Sequence, residues 1–214
     1  VIADQWIVNE GTDTGQHATQ AIISGASGGQ VKLLSGTGYA SFAEVMSSIN
    51  GGKHWKANQG QVRMTARVKI PTVTSISAFI GFTDDTGTAE PPIWEDTGSG
   101  AQVSTATDAV GFLFDTANSH TAWQAVGSAN GVDVTPVDLA SGPTANVWET
   151  LEVVLDTGGD ARFYRNGIAV AGINDCVTPT VGLTPVFSVF PHSTAARALD
   201  IDFVAVSGRR DTGA

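Results

Sequence analysis

The chain has 214 residues, 42% of them hydrophobic, with a formal net charge of −10 and one cysteine. That apolar content excludes a disordered chain, and a single all-β domain of this length buries about 70% of its unfolded surface without needing a disulfide, which the lone Cys176 could not form within the chain. The acidity repels phosphate backbones and anionic lipids, and no run of about 18 apolar residues exists to cross a bilayer, so neither nucleic acid nor membrane is an expected partner.

Residues 1–30 are rich in Gly and Thr, with Trp6-Ile7-Val8 as a first short strand. No basic region followed by an apolar stretch marks a signal peptide there. Val31 to Leu34 is a second short strand. Residues 41–49 fit two patterns. Phe42, Val45, Met46 and Ile49 have helical spacing, and Ser41 with Glu44 resembles a capping box. Ala43 and Val45 would instead share one face of a strand; the local signals slightly favour the helix, but the neighbouring strands and the Gly51-Gly52 turn favour the strand, which is the expectation. In residues 61–70, Val62, Met64, Ala66, Val68 and Ile70 alternate with polar residues, which predicts a half-buried antiparallel strand ended by Pro71.

Ile76 to Phe82 and Val110 to Phe114 are nearly continuous in apolar character and predict more buried strands. Leu151, Val153 and Leu155 alternate before the turn at residues 156–160. Asn166-Gly167 then predicts a tight hairpin, because both turn residues must take positive φ. Val186 to Phe190 is another strand. The last runs from Leu199 to Val206, with Leu199, Ile201 and Phe203 facing in and Asp200 and Asp202 facing out. These elements predict one all-β sandwich of two antiparallel sheets over residues 1–214, with residues 1–30 as an N-terminal arm used in assembly.

Catalytic and metal-binding patterns are few. Gly25-Ala26-Ser27-Gly28-Gly29 matches a nucleophile elbow in letters, but Val31 to Leu34 is too short for the helix that must follow. His17, His54, His120 and His192 have no ligand spacing, and four unrelated histidines are the expected reading. Asp84, Asp85 and Glu90 are candidate Ca²⁺ ligands, against an ordinary Asp-rich turn, which the lack of a recognised loop spacing favours. Asp200 and Asp202 stand about 6.6 Å apart by strand rise, which glycosidase geometry allows, yet a solvated pair on a polar strand face is expected. Trp94, after Pro91-Pro92-Ile93 in an apparent long loop, is the tryptophan expected to be exposed to a glycan or partner, and most of Trp6, Trp55, Trp123 and Trp148 are expected in the core. No catalytic residue, resident metal or cofactor is expected.

Two stretches carry a first resemblance. Trp148-Glu149-Thr150-Leu151-Glu152-Val153-Val154-Leu155 with Ala161-Arg162-Phe163-Tyr164-Arg165-Asn166-Gly167, and Leu199-Asp200-Ile201-Asp202-Phe203-Val204-Ala205-Val206, resemble the late strands of concanavalin A-like (laminin-G/laminarinase-like) jelly-roll sandwiches. Laminarinase-like enzymes of that fold carry catalytic acids as Glu-x-Asp-x-x-Glu on one strand. Here Glu149 and Glu152 flank Leu151, so the resemblance implies the fold without that machinery.

A second resemblance covers more of the chain. Residues 62–70, 78–84, 106–115 and 177–186, with the closing Asp-Phe-Val strand, resemble tailed-bacteriophage virion proteins. It implies a non-enzymatic structural protein on the outer surface of the virion, most of all a capsid decoration or cement protein. The implied partners are the major capsid protein and copies of itself, a trimer being preferred for a lattice with local threefold axes. The alternative is a carbohydrate- or receptor-binding module of a tail fibre, with a glycoside hydrolase resting on Asp200 and Asp202 as a third reading.

Overall fold

Period-two alternation of apolar side chains resolves into two stacked antiparallel sheets in the computed structural model, which describes residues 6–10, 19–23, 29–37, 43–47, 53–86, 91–96, 99–117 and 119–209. Strands are numbered β1 to β16 along the chain. The first seven-stranded sheet runs in the order β1 (Trp6–Glu10), β4 (Ala43–Ser47), β15 (Thr184–Pro191), β6 (Ile76–Thr83), β9 (Ala109–Asp115), β10 (Gln124–Ala129), β11 (Val132–Asp138). The second runs β14 (Ile168–Ile173), β13 (Ala161–Arg165), β12 (Trp148–Leu155), β5 (Val62–Lys69), β16 (Ala198–Ser207), β3 (Val31–Leu34), β2 (Thr19–Ile22). A two-stranded hairpin, β7 (Ile93–Glu95) with β8 (Gln102–Ser104), stands apart from both.

The core lies between the sheets. From β9, Val110, Phe112 and Phe114 point inward; from β5, Val62, Met64, Ala66 and Val68 meet them. Phe112 reaches across the sandwich to Phe163 of β13, ring centroids 5.3 Å apart and nearly perpendicular, and stands edge-on to Trp123 at 6.1 Å. Edge-to-face packing of this kind adds to the burial of each ring, itself worth about 1.5–3 kcal/mol.

Three local expectations meet the structure differently. Residues 43–47 form a strand, because β4 pairs with both β1 and β15 and has no exposed backbone edge to turn into a helix. Asn166 and Gly167 take φ of 53° and 79°, joining β13 to β14 in the predicted hairpin. The closing strand breaks its own alternation. Leu199 and Ile201 are buried as expected, but Phe203 is 44% exposed. A bulge between Ile201 and Phe203 inserts one residue against β5, so Val204 and Val206 turn inward in its place.

Candidate functional site

The outer face of the first sheet is closed at its centre. Along β9, Ala109 and Leu113 point away from the main core. Ile93 and Ala106, brought over them with the β7–β8 hairpin, join Phe79, Ala109, Leu113, Val126 and Val186 in a second apolar cluster. Gly81 and Gly111 are paired across β6 and β9, and a Cβ on Gly111 would lie 2.5 Å from the Ile80 carbonyl oxygen and 2.8 Å from the Phe79 ring. The bare backbone there lets the Phe79 ring lie across the sheet.

Polar groups gather instead where β9 ends. Asp115, the last residue of β9 on this face, is fully buried. Its Oδ1 lies 2.6 Å from His192 Nε2 and accepts the Ala117 N–H at 2.9 Å, while Oδ2 accepts the Glu95 N–H at 3.1 Å. One carboxylate thus ties together β9, the chain after β15 and the β7–β8 hairpin. Glu95, also buried, places Oε1 3.1 Å from His120 Nδ1. The Gln124 amide nitrogen lies 3.0 Å from the same ring nitrogen and donates to Asp138 Oδ1 at 3.0 Å. A protonated Nδ1 donates to Glu95, and the amide then serves Asp138; an unprotonated Nδ1 accepts from Gln124. The ring nitrogen is therefore a hydrogen-bonding junction between β7, β10 and β11.

The His120 imidazole, about a third exposed, lines an open cavity of about 330 Å³ with Ser119, Thr121, Ala122, Asp138 and Leu139. Ser119 holds φ of +64°, a left-handed conformation uncommon for a residue with a side chain. Its N–H closes a turn on the Thr116 carbonyl, which folds the loop after β9 so that His120 returns toward Glu95. The wall offers two hydroxyls, an imidazole and a carboxylate, a mixture of donors and acceptors suited to a polyhydroxylated ligand.

Sequence spacing could not assemble this group. Glu95 and His120 are 25 residues apart and Asp115 and His192 are 77 apart, so the expectation of four unrelated histidines is corrected for two of them. The one local signal is Asp115 at the outward phase of an otherwise apolar strand.

None of the other candidates is among the residues that line the cavity. Asp84 Oδ1 accepts the Asp108 N–H at 3.0 Å and the Asp85 N–H donates to Thr83 Oγ1 at 3.0 Å; Glu90 lies outside the described residues. Among the described residues no group of three or more His, Cys, Asp or Glu side chains is arranged to hold a metal ion. Trp94 is not in a loop but in β7, half-buried, on the face of the strand opposite Ile93 and Glu95. Trp55 and Trp123 are core residues; Trp148 is half-buried beneath Arg67 and Lys69, and the Trp6 side chain lies outside the described residues. Asp200, expected to be solvated, is 2% exposed, closed over by Lys69 at 3.0 Å and Lys32 at 3.8 Å, whereas Asp202 pairs with Arg67 at 2.6 Å. Glu149 is buried against Arg165, and Glu152 accepts from Thr65 at 2.9 Å. His17 and residues 25–28 are outside the described residues.

No family model and no curated protein matches the chain. Solved structures do. A Bacillus licheniformis β-glucanase superposes with a TM-score of 0.65 at 15% identity, over 98% of this chain and 94% of its own. A glycoside hydrolase family 16 endo-glucanase from Bacteroides ovatus gives 0.62 at 8% identity, over 97% and 96%. A carbohydrate esterase from the Shiga toxin-encoding bacteriophage phi24B gives 0.54 at 16% identity, over 96% and 90%. These neighbours are enzymes, and they overturn the expectation of a non-enzymatic chain, which rests on the missing catalytic patterns and the virion resemblance. The likeness itself, at such identities, is one of fold: the chain is an all-β, concanavalin A-like jelly-roll sandwich of two antiparallel sheets.

Proposed function

We propose that this chain is a carbohydrate-recognising domain that holds a saccharide in the cavity walled by His120 and Asp138. The observation that carries the reading is the composition of that wall: hydroxyls at Ser119 and Thr121, the imidazole and the Asp138 carboxylate, on a fold shared with a glucanase and a carbohydrate esterase. Trp94, one residue from Glu95, adds a half-buried aromatic surface on the outer side of the hairpin on which a sugar ring can stack. A glycan array followed by calorimetric titration tests this. Asp138→Ala is expected to weaken binding of the best ligand about tenfold, the scale of one lost hydrogen bond. Equal affinity of the variant would remove the cavity as the site.

The phage source of one neighbour favours a second, compatible reading of where such a domain works. In it the chain sits on the outer surface of a virion, as a trimeric decoration protein seated on the major capsid protein or as part of a tail fibre. Mass spectrometry of purified particles distinguishes these by copy number: hundreds of copies point to the head and a few to the tail, whereas none would end the virion reading.

A further inference from the structure

We infer that Glu95 and His120 form an acid–base dyad that hydrolyses an acyl ester carried by the saccharide in this cavity, a step that rests on the binding reading above. The dyad has the parts such a reaction needs. Glu95 is buried behind the imidazole and its Oε1 lies 3.1 Å from Nδ1, so the ring is oriented from the protein side. His120 is itself one of the residues that line the cavity. With the proton on Nδ1 donated to Glu95, Nε2 is left as the basic nitrogen of the ring.

The reaction then balances with water alone. A water in the cavity gives its proton to Nε2 as its oxygen adds to the acyl carbon, and the carbonyl electron pair moves to the carbonyl oxygen. Collapse breaks the bond to the saccharide oxygen, which leaves with the proton returned from Nε2. The products are a carboxylic acid and a free saccharide hydroxyl. Glu95 accepts from Nδ1 and holds the ring in place, so it is a positioning residue.

An ester suits this wall better than a glycosidic bond. Glycoside cleavage uses two carboxyl groups facing each other across the bond, about 5–9.5 Å apart. Glu95 stands behind the ring, which leaves Asp138 as the carboxylate among the cavity's lining residues. Among the described residues, Asp138 of β11 is linked to the dyad through Gln124, and Asp115 with His192 stands behind the Glu95 backbone.

Acetate release from 4-nitrophenyl acetate and from acetylated cello-oligosaccharides tests the inference, with binding of the same oligosaccharides followed by calorimetry. Turnover is expected from the native chain and a loss of at least about 100-fold in His120→Gln. Turnover in His120→Gly is expected to recover on adding imidazole, which a merely structural histidine would not show. In Glu95→Gln kcat should fall with KM little changed, since the ring loses the carboxylate that orients it while the cavity wall is kept. Saccharide binding with no hydrolysis by the native chain would overturn the dyad and leave the binding reading standing. Hydrolysis unaffected by His120→Gln would overturn it as well, and absence of both binding and hydrolysis would overturn both readings.

Discussion

Asp200 and Asp202 share the last strand and differ sharply in surroundings. Asp200 is buried with two lysines over it, while Asp202 and its partner Arg67 keep side-chain exposures of 18% and 41%. Neutralising the buried one leaves its site with weaker bonds and no route to water, so Asp200→Asn should lower unfolding free energy by about 1–3 kcal/mol. Asp202→Asn should cost less than about 1 kcal/mol, the scale of an exposed pair. Urea unfolding of both variants measures the contrast, and equal losses would contradict it. Cys176 makes a second prediction at this scale. Burial, with smaller contributions from Asp160 and Asp156, pushes its thiol up from 9.0 to about 12, against the opposing effect of the backbone groups of Cys176 and Ala161. Between those pH values the unfolded chain sheds a proton that the folded chain keeps. Stability therefore falls as pH rises through that window, by up to about 4 kcal/mol. Melting temperatures from pH 8 to 11 should drop more steeply for the native chain than for Cys176→Ala, and parallel curves would refute the assignment.

Among the elements, the strands with clean alternation were legible because burial on one face leaves a period of two in the letters. β5 and β12 are of this kind, and so is the Asn166-Gly167 hairpin, whose turn chemistry is local. The β10–β11 hairpin carries the same signal in Asn130-Gly131, with φ of 52° and 73°, so its turn too is written in the dipeptide. The bulge in β16 was not legible. Nothing in Leu199 to Val206 announces an inserted residue; the register is set by β5 across the ladder. The His–carboxylate cluster was hidden for the same reason, since its members meet only through sheet pairing and the return of the β7–β8 hairpin. Phe112 tests the packing these elements create. It touches Trp123 on its own sheet and Phe163 on the other, so Phe112→Ala should lower stability by about 3–5 kcal/mol. Thermal or denaturant unfolding reads this, and a loss below about 1 kcal/mol would mean the two sheets do not meet there.

At the scale of the molecule, two apolar layers divide the work. The main core joins the sheets, and the smaller cluster seals the outer face of the first sheet under the β7–β8 hairpin. That seal displaces polar chemistry from the middle of the face to its end, where the cavity opens. The net charge of −10 opposes close packing of identical copies, so the proposed trimer would need an apolar contact with charge at the rim. Light scattering tests that proposal, which a monomer at all concentrations would refute. The central claim is that a saccharide occupies the His120 cavity, and the most direct measurement follows the imidazole C–H resonances of the protein during titration with the oligosaccharide selected on the array. The expected result is a saturable shift of the His120 resonances with the same midpoint as the calorimetric curve, while those of His54 stay in place. Saturable binding that leaves the His120 resonances unmoved would contradict the claim.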